Sequence, residues 1–406
     1  MHLHPLLRSL TRHKLTVALM LLATALTCAI VTNIASMVVH RLVLLDAPSG
    51  MDEDSLVMFT SARIKATDGG RADHDFNAQY TADLVALRGI PGVRSDVAVM
   101  GLPMWGGYGI DISSNAGTVQ EQGFQATAFP GGPGLLRTLG LNLLVGRDFL
   151  SSEYVPYKAM KTVSAAIISR TLAQRLFQTD DAVGRLFYTS NGPIRVVGVV
   201  AHLMGMSPQL GASDNEYAML LPVEPDGDYV TFVLHATPAN RGRVLNQAVT
   251  LLSHRDPLRV FDNAETFAQA RAQYFRRDSS MIGLLLAAGI GLLIVTAAGI
   301  AGLASFWVQQ RTRSIGIRRA VGATRVDILC YFHAENFLIV TGGVLLGCVL
   351  AYALNLLLMK YYALQVLPLG YLLVGALTLW LIGQLAVLGP ALRAAAVPPA
   401  VATRSV

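Results

Sequence analysis

Four stretches of this chain carry no charged side chain and are each long enough to cross a lipid bilayer, so an ordinary water-soluble globule is excluded. The runs are Leu15 to Val39, Met281 to Val308, Phe337 to Met359 and Tyr361 to Leu392. At about 1.5 Å of rise per residue, each matches or exceeds the roughly 30 Å hydrocarbon core. The fourth helix is expected to begin after Pro368, because proline fits best in a first helical turn. Composition agrees: 53% of residues are hydrophobic and 14% charged, with a mean hydropathy of +0.47, where soluble domains carry about 25% charged residues.

Lysine and arginine near the span ends set the orientation, since the cytoplasmic side carries the excess. The segment before the first span has Arg8, Arg12 and Lys14 and no acid, a charge of +3. The loop between spans two and three has Arg311, Arg313, Arg318, Arg319 and Arg325 against Asp327 and Glu335, again +3, and Arg393 and Arg404 make the tail +2. His40 to Ser280 carries −3, and Lys360 stands alone between spans three and four. Both termini and the basic loop are therefore expected in the cytoplasm. The basic pI then reflects topology, and no nucleic-acid partner is read from it. The first apolar run is far longer than the 7 to 15 residues of a signal peptide's apolar region, so it is expected to stay as a span.

Cys28 and Cys348 lie within spans and Cys330 at the cytoplasmic edge of the third, so the external segment has no disulfide framework. His74, His202, His235 and His254 are scattered and read as satisfied or solvated side chains, and no zinc site is expected. No triad or paired acids converge, so no catalytic residue is assigned. The external segment reads as mixed α and β. Strands are expected at Leu56 to Ile64, Arg94 to Met100, Val163 to Ile168, Phe187 to Thr189, Ile194 to Val200, Ala218 to Leu221 and Val230 to His235. Helices are expected at Gln79 to Leu87, at Arg170 to Phe177 and from Thr237–Pro238 to about Leu252. Asn191–Gly192 is a hairpin-turn signal, and the glycines from Gly131 to Gly134 suggest a loop between two lobes. Asp262, with Glu265 three residues on, suggests a capping box opening an uninterrupted helix into the second span, with Phe267, Ala270 and Tyr274 on one face. That helix would be a stalk; the plainer alternative is a short helix packed on its own domain.

The basic loop from Arg311 to Leu329 is more ordered than charge alone requires. Ser314 to Val321 suits a short helix ended by Gly322, and Thr324 with Asp327 suits a cap opening the next. Ile315, Ile317 and Val321 supply apolar surface, and Arg318 and Arg319 supply charge. The alternative is a generic loop binding anionic lipid heads. Within the spans, Ala287 with Gly291, Ala298 with Gly302 and Gly343 with Gly347 are small-xxx-small pairs, suited to close helix packing between subunits or within one. Asn33 and Asn355 are expected to face other helices.

Arg311 to Leu329 resembles the signature of MacB/FtsX-type permeases of ABC transporters, "R-x-x-E-I-G-I-R-R-A-x-G-A-T", with Ser314 in place of the acid. Leu141 to Phe149 resembles that family's "L-x-L-x-x-G-R-x-F" element. Ala182 to Arg185 with Val196 to Val200 is similar to its "plG-(K/R)…vvGVV" element, and Gly389 to Ala400 to its tail. The resemblance covers nearly the whole chain in the right order. It implies a membrane protein with four transmembrane α-helices and a large α+β periplasmic domain inserted between spans 1 and 2. The layout is cytoplasmic 1–14, span 15–39, periplasmic domain with stalk 40–280, span 281–308, cytoplasmic coupling loop 309–336, span 337–359, span 369–389 and cytoplasmic tail 390–406, in a bacterial inner membrane. By position, Ile315, Gly316, Ile317, Arg318, Arg319, Ala320, Gly322 and Ala323 would contact the ATPase. The implied partners are a cytoplasmic ABC ATPase dimer and a second permease subunit, identical or paralogous, together with membrane lipids and room for a periplasmic adaptor. No Gly-x-x-x-x-Gly-Lys-Ser/Thr loop is present, so ATP and Mg belong to a partner chain. The function implied is transmission of ATPase motion to a periplasmic domain, for export or extraction of a peptide, macrolide or lipoprotein. The alternative is a signalling receptor or a regulator of periplasmic cell-wall enzymes.

Overall fold

The computed structural model describes residues 14–63, 76–117, 119, 123–208, 214–227, 229–362 and 369–396. Two compact units are present, Met1–Val43 with Asp278–Val406, and Leu44–Arg277. The first helix, α1 (Lys14–Asp46), is followed by the α+β unit. Its elements are β1 (Leu56–Arg63), α2 (Phe76–Arg88), β2 (Val93–Val99), β3 (Tyr108–Ser113), β4 (Phe124–Gly131), α3 (Leu135–Leu139), β5 (Leu143–Gly146), β6 (Val155–Pro156) and β7 (Ala165–Ser169). They continue with α4 (Arg170–Phe177), β8 (Leu186–Thr189), β9 (Gly192–Val200), β10 (Ala218–Glu224), β11 (Tyr229–Ala236), α5 (Arg241–Arg255), β12 (Arg259–Thr266) and α6 (Phe267–Tyr274).

The expected two lobes are joined by one sheet, in the order β12-β1-β11-β2-β4-β3-β8-β9-β7-β10-β6. Its central strands are buried on both faces, and the period of two divides their side chains between cores. Val57 and Phe59 of β1 pack with α2 and α5, whereas Leu56 and Met58 face a central core. In β7, Ala165 and Ile167 face that central core, and Ala166 and Ile168 face a third one shared with Leu172 and Leu176 of α4. Because β10 pairs with both β7 and β4, the strands β4, β3, β8, β9, β7 and β10 close into a six-stranded ring.

The return towards the membrane differs from the expected stalk. Residues 259–266 form β12 on the open edge of β1, with Thr60 opposite Asp262 and Val57 opposite Thr266. A ladder of backbone hydrogen bonds there outweighs a single cap at Asp262, whose carboxylate instead accepts from the Asn263 amide at 2.8 Å. The capping box sits four residues later: Gln269 N–H donates to Thr266 Oγ1 at 3.3 Å, and Thr266 N–H donates to Gln269 Oε1 at 2.9 Å. From it runs α6, which is short and buries Phe267 and Ala270 in the central core, so the plainer alternative holds for this segment. Helical geometry is interrupted at Phe275 (φ −86°, ψ 3°). At the start of α5, Pro238 opens a 3-10 turn (Pro238–Asn240), and Thr237 makes no side-chain cap.

The helical unit consists of α1 with α7 (Arg276–Gln310), α8 (Thr312–Ala320), α9 (Arg325–Tyr362) and α10 (Leu369–Ala395). Among the described residues, α1, α7, α9 and α10 are long and apolar enough to cross a membrane. Residues 1–13 of the expected cytoplasmic segment 1–14, Pro368 and residues 397–406 of the tail lie outside the described residues, and Lys14 already belongs to α1. Close packing explains two glycines of α9: a Cβ at Gly343 would lie 2.7 Å from Thr24 Cβ, and one at Gly347 would lie 2.4 Å from Cys28 Cβ. The amide of Asn33 donates to the carbonyls of Ala29 and Ala351 at 2.8 and 3.2 Å, so this polar group joins α1 to α9. Thr27 and Thr296 hydroxyls, 2.7 Å apart, join α1 to α7.

Candidate functional site

The turn between α7 and α9 is built around an ion pair whose two residues the sequence presents only as loop charges. Arg311, just beyond α7, donates through Nη1 to both Glu335 carboxylate oxygens, at 2.9 and 3.2 Å. The Glu335 residue is 1% exposed. The Arg311 guanidinium also lies over the Trp307 ring, 5.9 Å from its centroid. A buried carboxylate needs such a partner, because desolvation otherwise makes its charge unsustainable.

Beyond Arg311, α8 is amphipathic in a narrow sense. Ile315 is 5% exposed and packs with Trp307, Val308, Ile328 and Phe332 in one apolar cluster. Gly316 is buried beside it, as expected where a helix lies close to its neighbours. Arg318 stacks on Tyr331 at 4.8 Å, and Arg319 Nη1 donates to the Ala395 carbonyl at 3.2 Å, which fastens α8 to the end of α10. Gly322 has φ +108°, a conformation that favours glycine. Thr324 and Asp327 cap α9 reciprocally: Thr324 N–H donates to the Asp327 carboxylate at 2.9 Å, and Asp327 N–H donates to the Thr324 hydroxyl at 3.2 Å.

The eight residues expected at a docking surface are thus divided. Ile315 and Gly316 face inward, and Arg319 and Arg318 have partners within the chain. Ile317 (54% exposed), Ala320 and Gly322 remain outward, together with Val321 at 85%. Ala323 is half-buried. The pairing of Arg311 with Glu335 escaped sequence reasoning because twenty-three residues separate them; the available signal was that each charge abuts an apolar run.

Of the small-residue pairs, Gly343 and Gly347 are used within the chain, against α1. Ala287, Gly291, Ala298 and Gly302 are exposed on α7, and a Cβ on either glycine would meet nothing within 4 Å. At the other end of the helical unit, Arg41 of α1 pairs with Asp278 of α7. In the α+β unit, Arg271 of α6 pairs with Glu53 and donates to the Leu45 and Ala47 carbonyls at 2.7 and 2.6 Å. Among the described residues, no group of three or more His, Cys, Asp or Glu is placed to hold a metal ion. His202 lies 3.0 Å from Glu216 and His235 3.0 Å from Asp52; His74 lies outside the described residues.

Four apolar helices, an α+β domain inserted after the first and a basic elbow between the second and third define a membrane permease with a periplasmic domain. The chain belongs to the MacB/FtsX-type ABC permease family: the MacB-like periplasmic core domain matches residues 16–254 and the FtsX-like permease C-terminal domain matches residues 286–399. It is similar to the uncharacterized ABC transporter permease YknZ of Bacillus subtilis (strain 168), 26% identical over 66% of this chain and 64% of that one. It is also similar to the macrolide export ATP-binding/permease protein MacB of Shewanella sp. (strain W3-18-1), 28% identical over 55% of this chain and 34% of that one. The matched region thus spans under two thirds of the first relative and about a third of the second. The solved periplasmic region of MacB from Actinobacillus actinomycetemcomitans covers 56% of this chain and 96% of its own, with 14% identity and a TM-score of 0.33.

Proposed function

We propose that this chain is the transmembrane subunit of an ABC exporter that transmits the motion of a separate cytoplasmic ATPase dimer to its periplasmic domain. The reading places both termini and the α8 elbow in the cytoplasm of a bacterial inner membrane, with ATP and Mg held by the partner. A second permease subunit completes the assembly. The cargo class is a peptide, macrolide or lipoprotein.

The observation that carries this reading is the way α8 is fastened. Ile315 sits in a core shared by α7 and α9, Arg319 holds the end of α10, and Arg311 with Glu335 joins the α7 end to α9. A push on the outward Ile317 and Val321 is therefore passed to three spans rather than absorbed by a loose loop. At the opposite end Arg41 and Asp278 tie α1 to α7, so these two spans move together where the chain enters and leaves the periplasmic domain. Export needs no membrane-embedded ion path in this scheme.

Copurification tests it. Full-length protein extracted in detergent is expected to retain an ABC ATPase, and Ile317→Glu with Val321→Glu is expected to release it while leaving thermal stability unchanged. Absence of any ATPase from the wild-type preparation would overturn the proposal in favour of a receptor or regulator.

A further inference from the structure

The six-stranded ring in the periplasmic domain is not closed evenly. Strand β3 pairs with β4 from Tyr108 to Ile112, but on its other side it pairs with β8 only at Ile112 and Ser113. The β8–β9 turn ends the neighbouring strand there: Thr189 Oγ1 donates to the Gly192 carbonyl and accepts from the Asn191 amide, both at 3.1 Å, and Gly192 takes φ +131°. Past that turn, Tyr108 to Asp111 has no strand beside it on this side among the described residues.

A cavity of about 510 Å³ opens at this gap. Its volume falls within the range of small-molecule sites, and the mouth of a strand ring is a common place for one. Ile110, Met160 and Leu221 supply apolar lining, Tyr108 and Tyr157 supply two aromatic rings, and Lys161 supplies an exposed ammonium. Both Tyr157 and the lysine come from one 3-10 segment, Tyr157–Thr162, whose Tyr157 and Met160 pack against the ring's core.

Among the polar side chains that line the cavity, those of Tyr157 and Lys161 present donors. Tyr108 Oη donates to Tyr157 Oη at 3.5 Å, which leaves the Tyr157 proton for a ligand. Burial, then the neighbouring Tyr157 hydroxyl, pushes the Tyr108 phenol up to about 12, so it keeps its proton at neutral pH. Lys158 is paired with Asp226 at 3.0 Å. Asp111, the acid in the lining, alternates with Ile110 along β3, so its side chain leaves on the opposite face from the one that Tyr108 and Ile110 give to the core. The inward balance favours an anion beside an apolar floor.

From this juxtaposition we propose that the gap between β3 and β8 is a binding site for a small amphipathic carboxylate with a planar apolar body. The body lies on Ile110, Met160 and Leu221 against the two tyrosine rings, whose centroids are 6.3 Å apart and whose planes are tilted by 44°, and the carboxylate accepts from Tyr157 and Lys161. This site is independent of the ATPase elbow.

The test uses full-length protein carrying ¹³C-methyl methionine, with the Met160 signal identified through Met160→Leu, and 2-naphthoate as the probe. A saturable shift of the Met160 methyl is expected. Lys161→Glu, at an exposed position, should weaken binding about tenfold, and Tyr157→Phe should weaken it about fivefold while keeping the ring, the usual scale for charge-assisted and neutral hydrogen bonds. The neutral analogue 2-naphthylmethanol should bind at least about fivefold more weakly than 2-naphthoate. A Met160 signal that stays in place up to the probe's solubility limit overturns the site. Equal binding by the alcohol, or by Lys161→Glu, overturns the assignment of an anionic ligand.

Discussion

Arg311 and Glu335 meet in a two-pronged contact of 2.9 and 3.2 Å across the basic elbow, and this contact joins the end of the second apolar helix to the third. Arg311→Ala leaves the buried Glu335 without its counter-charge, at a cost of about 3–5 kcal/mol. It is therefore expected to lower the unfolding midpoint in detergent sharply. Replacing both residues with Met should recover most of that stability, yet stimulation of the ATPase by the assembled transporter should stay low. Full recovery of both properties would mean that the pair serves folding alone.

The two isoleucines of α8 should behave oppositely. Ile315→Ala empties a packed position and is expected to cost about 2–5 kcal/mol, because Ile315 lies among Trp307, Val308 and Phe332. Ile317→Ala removes exposed surface and should leave the unfolding midpoint within error. Its expected effect is weaker capture of the ATPase. Comparable destabilisation by the two substitutions would contradict the assigned faces.

Glycines in spans two and three should also separate. A methyl at Gly347 meets the Cys28 side chain and the Ala25 carbonyl, so Gly347→Ala is expected to cost about 1–3 kcal/mol. Gly291→Ala meets nothing in its own chain. It should spare the monomer's stability, and a drop in dimer fraction by analytical ultracentrifugation would assign the Ala287–Gly302 face to the second permease.

Acid titration should report on Arg147 and Glu153. Two hydrogen bonds from Arg147, at 2.7 and 2.8 Å, hold the Glu153 carboxyl below its ordinary value of 4.5. The folded state then binds fewer protons than the unfolded chain in the window just below 4.5, so this contribution is complete above that pH and fades as pH falls. Arg147 is nearly half exposed, which limits the contribution to about 0.2–1 kcal/mol. Arg147→Ala should remove that increment at pH 7 and flatten the stability curve below about pH 4.5. An unchanged slope there would show that the pair is not formed in solution.

Much of the architecture was legible because its signals are local. The expected helix Arg170 to Phe177 forms as α4, and at its start the Ser169 hydroxyl accepts from the Leu172 amide. The β8–β9 hairpin was announced by Asn191–Gly192, and the Thr324–Asp327 cap by its spacing. Readings failed where distant strands competed for the same residues. Asp262 and Glu265 have the spacing of a capping box, but the open edge of β1 draws them into β12 and moves the cap to Thr266. Likewise Phe275 breaks the expected rod without any proline or glycine to mark it.

Apolar run length, arginine placement and the motif from Arg311 to Leu329 determined on their own that the chain enters a membrane and carries a basic elbow, because bilayer thickness and charge desolvation act on any helix of that composition. Folding in three dimensions decided which elbow residues face inward, that Arg311 finds Glu335, which glycines are spent within the chain, and that β3 and β8 part to leave a cavity. Those outcomes depend on packing and pairing between segments far apart along the backbone, where many partners of equal chemistry compete and only shape and distance select one.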